Sequence, residues 1–194
     1  MAMTTANKVT FLRILLVPIF IYEVLEYREQ GDESNRWLSL ISFALAAVLD
    51  GVDGFIARRF HQKSELGALL DPLADKLLLV AGLILLSMTN SYLQRIPLWL
   101  VSVTLSRDVL LLIGVVLIHL QCGKVTVRPH WTGKIATFLQ MAVVLWTLLK
   151  LDHRIQLWIA LGATVLTAVS GIRYLLDAIN QLGESPKSSS TPGQ

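Results

Sequence analysis

Four aspartates, Asp50, Asp53, Asp71 and Asp75, fall in one short segment whose flanks are strongly apolar. Carboxylates in or beside an apolar stretch are unfavourable unless paired, hydrated or bound to metal, so the set calls for a reason. Helical spacing supplies one. Asp50, Asp53, Gly54 and Ala57 stand at i, i+3, i+4 and i+7, and Gly67, Asp71 and Asp75 at successive i+4 steps, so each set shares one face of its helix. A short connection makes two such helices antiparallel neighbours, and their faces then converge on a pocket of carboxylates. Oxygen-only ligands suit Mg2+ or Mn2+, and neither a cysteine nor a histidine pair stands near to favour zinc. One or two such ions relieve the repulsion among the carboxylates, bind a diphosphate and set its phosphorus beside a carboxylate able to act as base. Gly54 and Gly67 leave room for a ligand or helix to approach, Ala57 keeps the same face narrow, and Arg58 offers a planar fork to a phosphate oxygen. The plainer reading is a set of interfacial charges that end two helices and meet water or headgroups. It accounts for any one aspartate, and poorly for four in helical phase with two glycines.

The elements that must position these residues are helices in a bilayer. The chain has 194 residues, 54% hydrophobic and only 16% charged, against about 25% charged in soluble domains. Its apolar residues gather into runs near the ~20 residues that cross a hydrocarbon core as a helix, without the alternation of a membrane β-barrel. The expectation is an all-α integral membrane protein of six transmembrane helices. The predicted spans are 11–25, a second from Trp37 into the first aspartate pair, a third from Ser64 to 86, and then 96–120, 133–149 and 155–176, with a polar loop at 26–36. Residues 1–183 form one domain, and 184–194 read as a disordered polar tail. Six spans put Lys8, Arg13, Arg58, Arg59, Lys63, Lys124, Arg128, Lys134, Arg173 and Lys187 on one side, and only Arg28, Arg36, Arg95, Lys150 and Arg154 on the other. The richer side is assigned to the cytoplasm, with both termini and the acidic cluster. The net charge of +3 thus reflects membrane topology and not a nucleic-acid partner. Cys122 is the sole cysteine, which leaves no disulfide and no thiolate cluster. The polar stretch 1–10 has no separate basic presequence, which favours a bacterial cytoplasmic membrane.

Written out, the segment is Asp50-x2-Asp53-Gly54-x2-Ala57-Arg58-x8-Gly67-x3-Asp71-x3-Asp75, and it resembles the full signature of the CDP-alcohol phosphotransferase family, with every position filled. The resemblance implies six transmembrane helices, a homodimer, and transfer of a phosphatidyl group from CDP-diacylglycerol to an alcohol with release of CMP. It also implies roles. Asp50, Asp53, Asp71 and Asp75 would hold a two-metal site, Asp75 would serve as general base, and Asp50, Asp53, Gly54, Ala57, Arg58 and Gly67 would bind the CDP moiety. Asn7-x2-Thr10-x2-Arg13 is similar to the start of the phosphatidylglycerophosphate synthase branch.

The acceptor rests on residues outside that segment. Arg107 inside the fourth span, with Lys124, Arg128, Lys134 and Arg173, would meet a phosphate-bearing acceptor, although positive-inside placement also explains the loop cations. Gly133-Lys134-x2-Thr137-x2-Gln140 resembles the branch that uses glycerol 3-phosphate, which is the first choice. Ser106-Arg107-Asp108 departs from that branch and looks like eukaryotic-type cardiolipin synthases, for which the acceptor is phosphatidylglycerol. Among other chemistries, an intramembrane prenyltransferase carries differently spaced aspartates, and a cation transporter would use the carboxylates as an ion site.

Overall fold

The computed structural model describes residues 5–60, 65–88, 92–122 and 131–183, and the side chains of 11–49, 76–88, 92–114, 116 and 131–177. The described residues form six helices and no strand: α1 (Thr5–Gln30), α2 (Glu33–Phe60), α3 (Glu65–Ser87), α4 (Leu98–Cys122), α5 (Trp131–Leu148) and α6 (His153–Gly183).

The helices run past their apolar stretches. The predicted loop at 26–36 shrinks to Gly31 and Asp32, because the polar residues before and after them, rich in Glu, Arg and Gln, are good helix formers in an aqueous layer. Gly31 stops α1 in the left-handed region at φ 72, its N–H donating to the Tyr27 carbonyl at 2.9 Å. Asp32 then caps α2, its Oδ1 accepting from the Ser34 N–H at 3.0 Å. The α5–α6 turn follows the same logic. Lys150 adopts φ 55, the N–H groups of Lys150 and Leu151 donate back to Thr147 and Trp146, and Asp152 Oδ1 accepts from the Arg154 N–H at 2.7 Å. The sixth helix likewise extends beyond its predicted end at 176, to Gly183.

Packing brings α1 against α2 and α3, and α6 against α4 and α5, while α5 also meets α2 and α3. Phe20 of α1 and Phe43 of α2 touch at 5.4 Å between ring centroids in the core, with Leu83, Val143, Val144 and Leu148 buried nearby in the same cluster. Gly82 admits this closeness, since a methyl there would lie 3.3 Å from Val144 and 3.4 Å from Phe43.

Three connections gather at one end of the bundle. Glu33, at the start of α2, pairs with Lys150 after α5, and Arg36 donates to the Leu148 carbonyl at 2.7 Å. Gly31 abuts the Tyr92 ring, and Arg95 donates to the Ser87 carbonyl at 2.7 Å. Because consecutive helices alternate in direction, the end of α2, the start of α3, the start of α5 and the end of α6 lie at the opposite end. That is where the aspartate segment belongs.

Large apolar side chains stand exposed along the outside of the bundle, among them Leu15, Ile19, Leu112, Phe138, Trp158 and Ile172. Among the described residues, one helical stretch, His153–Asp177, is both long and apolar enough to cross a membrane, with mean hydropathy 1.7, and Lys76–Ser87 is a shorter apolar one.

Candidate active site

The C-terminal part of α2 is helical through Asp50, Asp53, Gly54, Ala57 and Arg58, and the N-terminal part of α3 is helical through Gly67, Asp71 and Asp75. The spacing of these positions therefore becomes a shared stripe on each helix, and the end of α2 that carries one set and the start of α3 that carries the other belong to the same end of the bundle. Their side chains lie outside the described residues, as do Lys124 and Arg128. No group of three or more His, Cys, Asp or Glu suited to a metal occurs among the described residues. Asp50, Asp53, Asp71 and Asp75 are oxygen donors of the type that a hard divalent ion takes.

Helix register ties α1 to this end. Seven residues beyond the Phe20–Phe43 contact along each antiparallel helix stand Arg13 and position 50, so two turns from that contact bring them to one level. Arg13 is fully buried. A buried guanidinium persists only among anions or hydrogen-bond acceptors, and α1 packs on both helices that carry the aspartates.

Immediately after Asp75, the side-chain geometry is explicit. Lys76 Nζ lies 3.0 Å from Asp108 Oδ1, which spans from α3 to α4. Arg107 Nε lies 3.3 Å from the same oxygen. Lys76 is 54% exposed, whereas Asp108 and Arg107 keep only 17% and 11% of their side-chain surface. One carboxylate thus lies within ion-pair distance of two cations in a mostly enclosed setting, while the buried Arg107 Nε and Asp108 Oδ1 make no hydrogen bond among the described residues. The Arg107 stem rests on α6, where a methyl on Gly171 would come within 3.2 Å of its Cγ.

These residues border a cavity of about 110 Å³ between α2, α3, α4 and α5, lined by Lys76, Arg107, Asp108, Thr137 and Gln140 with Phe43, Ala46 and Met141. A second, open groove starts at Arg107 and Ser106 and runs along α4 and α6 past Leu110, Ile172 and Leu175. Of the other cations expected at an acceptor, Lys134 is exposed, its ammonium 5.9 Å over the Trp131 ring, and Arg173 is exposed in the second half of α6. Of the cations expected at an acceptor, Arg107 is the one among the described residues that lines the cavity, alongside Lys76.

The sequence assigns no role to Lys76 and marks Asp108 only as part of the Ser106-Arg107-Asp108 triplet. Their mutual pairing depends on how α3 meets α4, which no spacing within either helix reveals. The signal available was a carboxylate beside a cation inside an apolar run.

Residues 3–169 match the family model described as CDP-alcohol phosphatidyltransferase. The chain is 32% identical over 182 residues to a protein named probable phosphatidylglycerophosphate synthase of Mycobacterium tuberculosis, covering 92% of this chain and 83% of that one. It is 37% identical over 185 residues to the CDP-diacylglycerol–glycerol-3-phosphate 3-phosphatidyltransferase of Bacillus subtilis, with 87% and 91% covered. It is also 36% identical over 136 residues to a cardiolipin synthase (CMP-forming) of Streptomyces coelicolor, with 70% and 60% covered.

Proposed function

Because the chain belongs to the CDP-alcohol phosphatidyltransferase family, we propose that it transfers the phosphatidyl group of CDP-diacylglycerol to glycerol 3-phosphate, giving phosphatidylglycerophosphate and CMP. The observation that carries the acceptor is the cavity beside Lys76, which the enclosed Arg107 lines with its guanidinium charge next to Asp108. A guanidinium presents a planar fork of donors to a phosphate. The names of the relatives from Bacillus subtilis and Mycobacterium tuberculosis support the same acceptor.

In this reading Asp50, Asp53, Asp71 and Asp75 hold Mg2+ or Mn2+, and Gly54, Ala57, Arg58 and Gly67, with Asp50 and Asp53, shape the CDP site. Bound divalent metal supplies charge neutralisation on the diphosphate. Asp75 takes the proton of the acceptor hydroxyl as its oxygen attacks the phosphorus that bears diacylglycerol. The new P–O bond forms, the diphosphate P–O bond breaks, and its electron pair leaves on CMP. Arg107, with Asp108 beside it, orients the acceptor phosphate, and Lys124, Arg128, Lys134 and Arg173 are the further cations proposed for it. Lys76, one residue past the base, ties α3 to that acceptor site through Asp108.

Six membrane-spanning helices with the active site and both termini on the cytoplasmic side, membrane lipids around the bundle, and a homodimer complete the proposal. The exposed apolar side chains on every helix support the first of these. A second acceptor, phosphatidylglycerol, is favoured by one observation: the groove from Arg107 along α4 and α6 is apolar enough for an acyl chain. Incubating the purified protein with CDP-diacylglycerol, divalent metal and each acceptor separates the two readings by product. Absence of metal-dependent CMP release with every acceptor would refute the transferase assignment.

A further inference from the structure

Gln140 is fully buried on α5, and its amide is locked in one orientation. Its Nε2 donates to Thr104 Oγ1 of α4 at 2.9 Å and to Thr167 Oγ1 of α6 at 2.8 Å. The Thr167 hydroxyl has a single hydrogen, which goes to the Ala163 carbonyl at 2.6 Å, so toward Gln140 it can only accept. The group facing it is therefore the amide nitrogen, and a flipped amide would set two acceptors against each other. Both donors of the amide are spent.

The remaining atom, Oε1, is buried and has no hydrogen-bond partner among the described residues. A buried acceptor without a donor is unfavourable by about 1–3 kcal/mol. Gln140 lines the cavity of about 110 Å³ whose other polar walls are Lys76, Arg107, Asp108 and Thr137, space enough for a three-carbon polyol or for a few waters. Apart from the two threonines that orient it, a hydroxyl in this cavity is the partner its chemistry asks for.

We propose that Gln140 is a specificity-determining residue: its Oε1 accepts a hydrogen bond from the acceptor's secondary hydroxyl, the one that does not attack phosphorus, while Arg107 holds the phosphate. The inference deepens the reading of glycerol 3-phosphate as acceptor and rests on it. A site built around a hydroxyl discriminates strongly against an analogue that lacks it, because its own polar group is then left unpaired. Thr104 and Thr167 act as positioning residues, since they aim the amide without meeting the acceptor.

The experiment compares glycerol 3-phosphate with 3-hydroxypropyl phosphate, which keeps the attacking hydroxyl and the phosphate and lacks the secondary hydroxyl. Ratios of kcat/KM for the two acceptors, measured on the full chain with CDP-diacylglycerol and divalent metal, are independent of the fraction of protein that is folded. Wild-type protein is expected to favour glycerol 3-phosphate by about tenfold or more, and Gln140→Met to reduce that preference to within about threefold. If Gln140→Met fails to fold, Thr167→Val, which removes the contact that orients the amide, carries the same comparison. An unchanged ratio in the folded variant, or no preference in wild type, overturns the inference and identifies the cavity as water-filled. Wild-type protein that makes no product from glycerol 3-phosphate overturns the acceptor reading itself.

Discussion

Gly171→Ala separates the role of Arg107 from the stability of the bundle. A methyl at this position lies 3.2 Å from Arg107 Cγ and 3.7 Å from its Cβ. Carbon atoms at optimal separation stand about 3.5–4.0 Å apart, so the arginine stem must retreat by a few tenths of an ångström. Against that strain, alanine is more favourable than glycine within a helix by about 0.8–1.0 kcal/mol. The two effects offset each other, and the thermal midpoint should stay where it is or rise slightly. The guanidinium, however, moves with its stem. A misplacement of about 1 Å in a catalytic constellation costs about a hundredfold. A shift of about a third of that corresponds to roughly a fourfold rise in KM for the phosphate-bearing acceptor. Initial rates of CMP release against glycerol 3-phosphate, at saturating CDP-diacylglycerol, measure this directly. KM for CDP-diacylglycerol should not move. Unchanged acceptor KM in a protein of wild-type stability would show that Arg107 does not hold the acceptor, and the placement of the phosphate beside Asp108 would fall with it.

Asp75→Asn should abolish turnover while CDP-diacylglycerol binding stays measurable, and retained turnover in a filter-binding-competent variant removes Asp75 as base. Gly31→Ala places a side chain at φ 72 and within 2.6 Å of the Tyr92 ring, so a loss of about 1–3 kcal/mol is expected from left-handed strain and displacement of the ring. A melting temperature equal to wild type would contradict that account of the turn. At the same end, hydrogen bonds from Lys150 and then Arg36 hold the Glu33 carboxyl below its usual range, and the Glu33 hydrogen bond raises Lys150. The depressed carboxyl contributes stability above its unfolded pKa of about 4.3 that is lost as pH falls through the folded value. The raised ammonium contributes below about 10.4 and loses its contribution as pH rises through its folded value. Glu33→Gln should therefore flatten the acid limb of a melting-temperature profile below about pH 4.3, and an acid limb as steep as wild type argues against the clasp.

Helix number and order were legible because each apolar run is long and polar residues separate one run from the next. The ends were less legible. Residues 26–30 are polar and were read as loop, yet polarity reports the boundary of the apolar layer and not the end of hydrogen bonding. The candidate site divides in the same way. The phasing of Asp50, Asp53, Asp71 and Asp75 is a property of single helices, so spacing alone exposed it. The pairing of Lys76 with Asp108, and the orientation of Gln140 by Thr104 and Thr167, arise where three or four helices meet. Gln140 stood in a recognised sequence pattern, but only the single hydrogen of Thr167, committed to Ala163, reveals which of its amide atoms is left for a ligand.

The most direct measurement of the central claim is product identification from labelled CDP-diacylglycerol offered to the purified protein with glycerol 3-phosphate or phosphatidylglycerol, with and without Mg2+ or Mn2+. The account predicts metal-dependent CMP release and labelled phosphatidylglycerophosphate from glycerol 3-phosphate. Labelled cardiolipin from phosphatidylglycerol, with no product from glycerol 3-phosphate, would contradict the acceptor, and no labelled lipid from either would contradict the transfer itself.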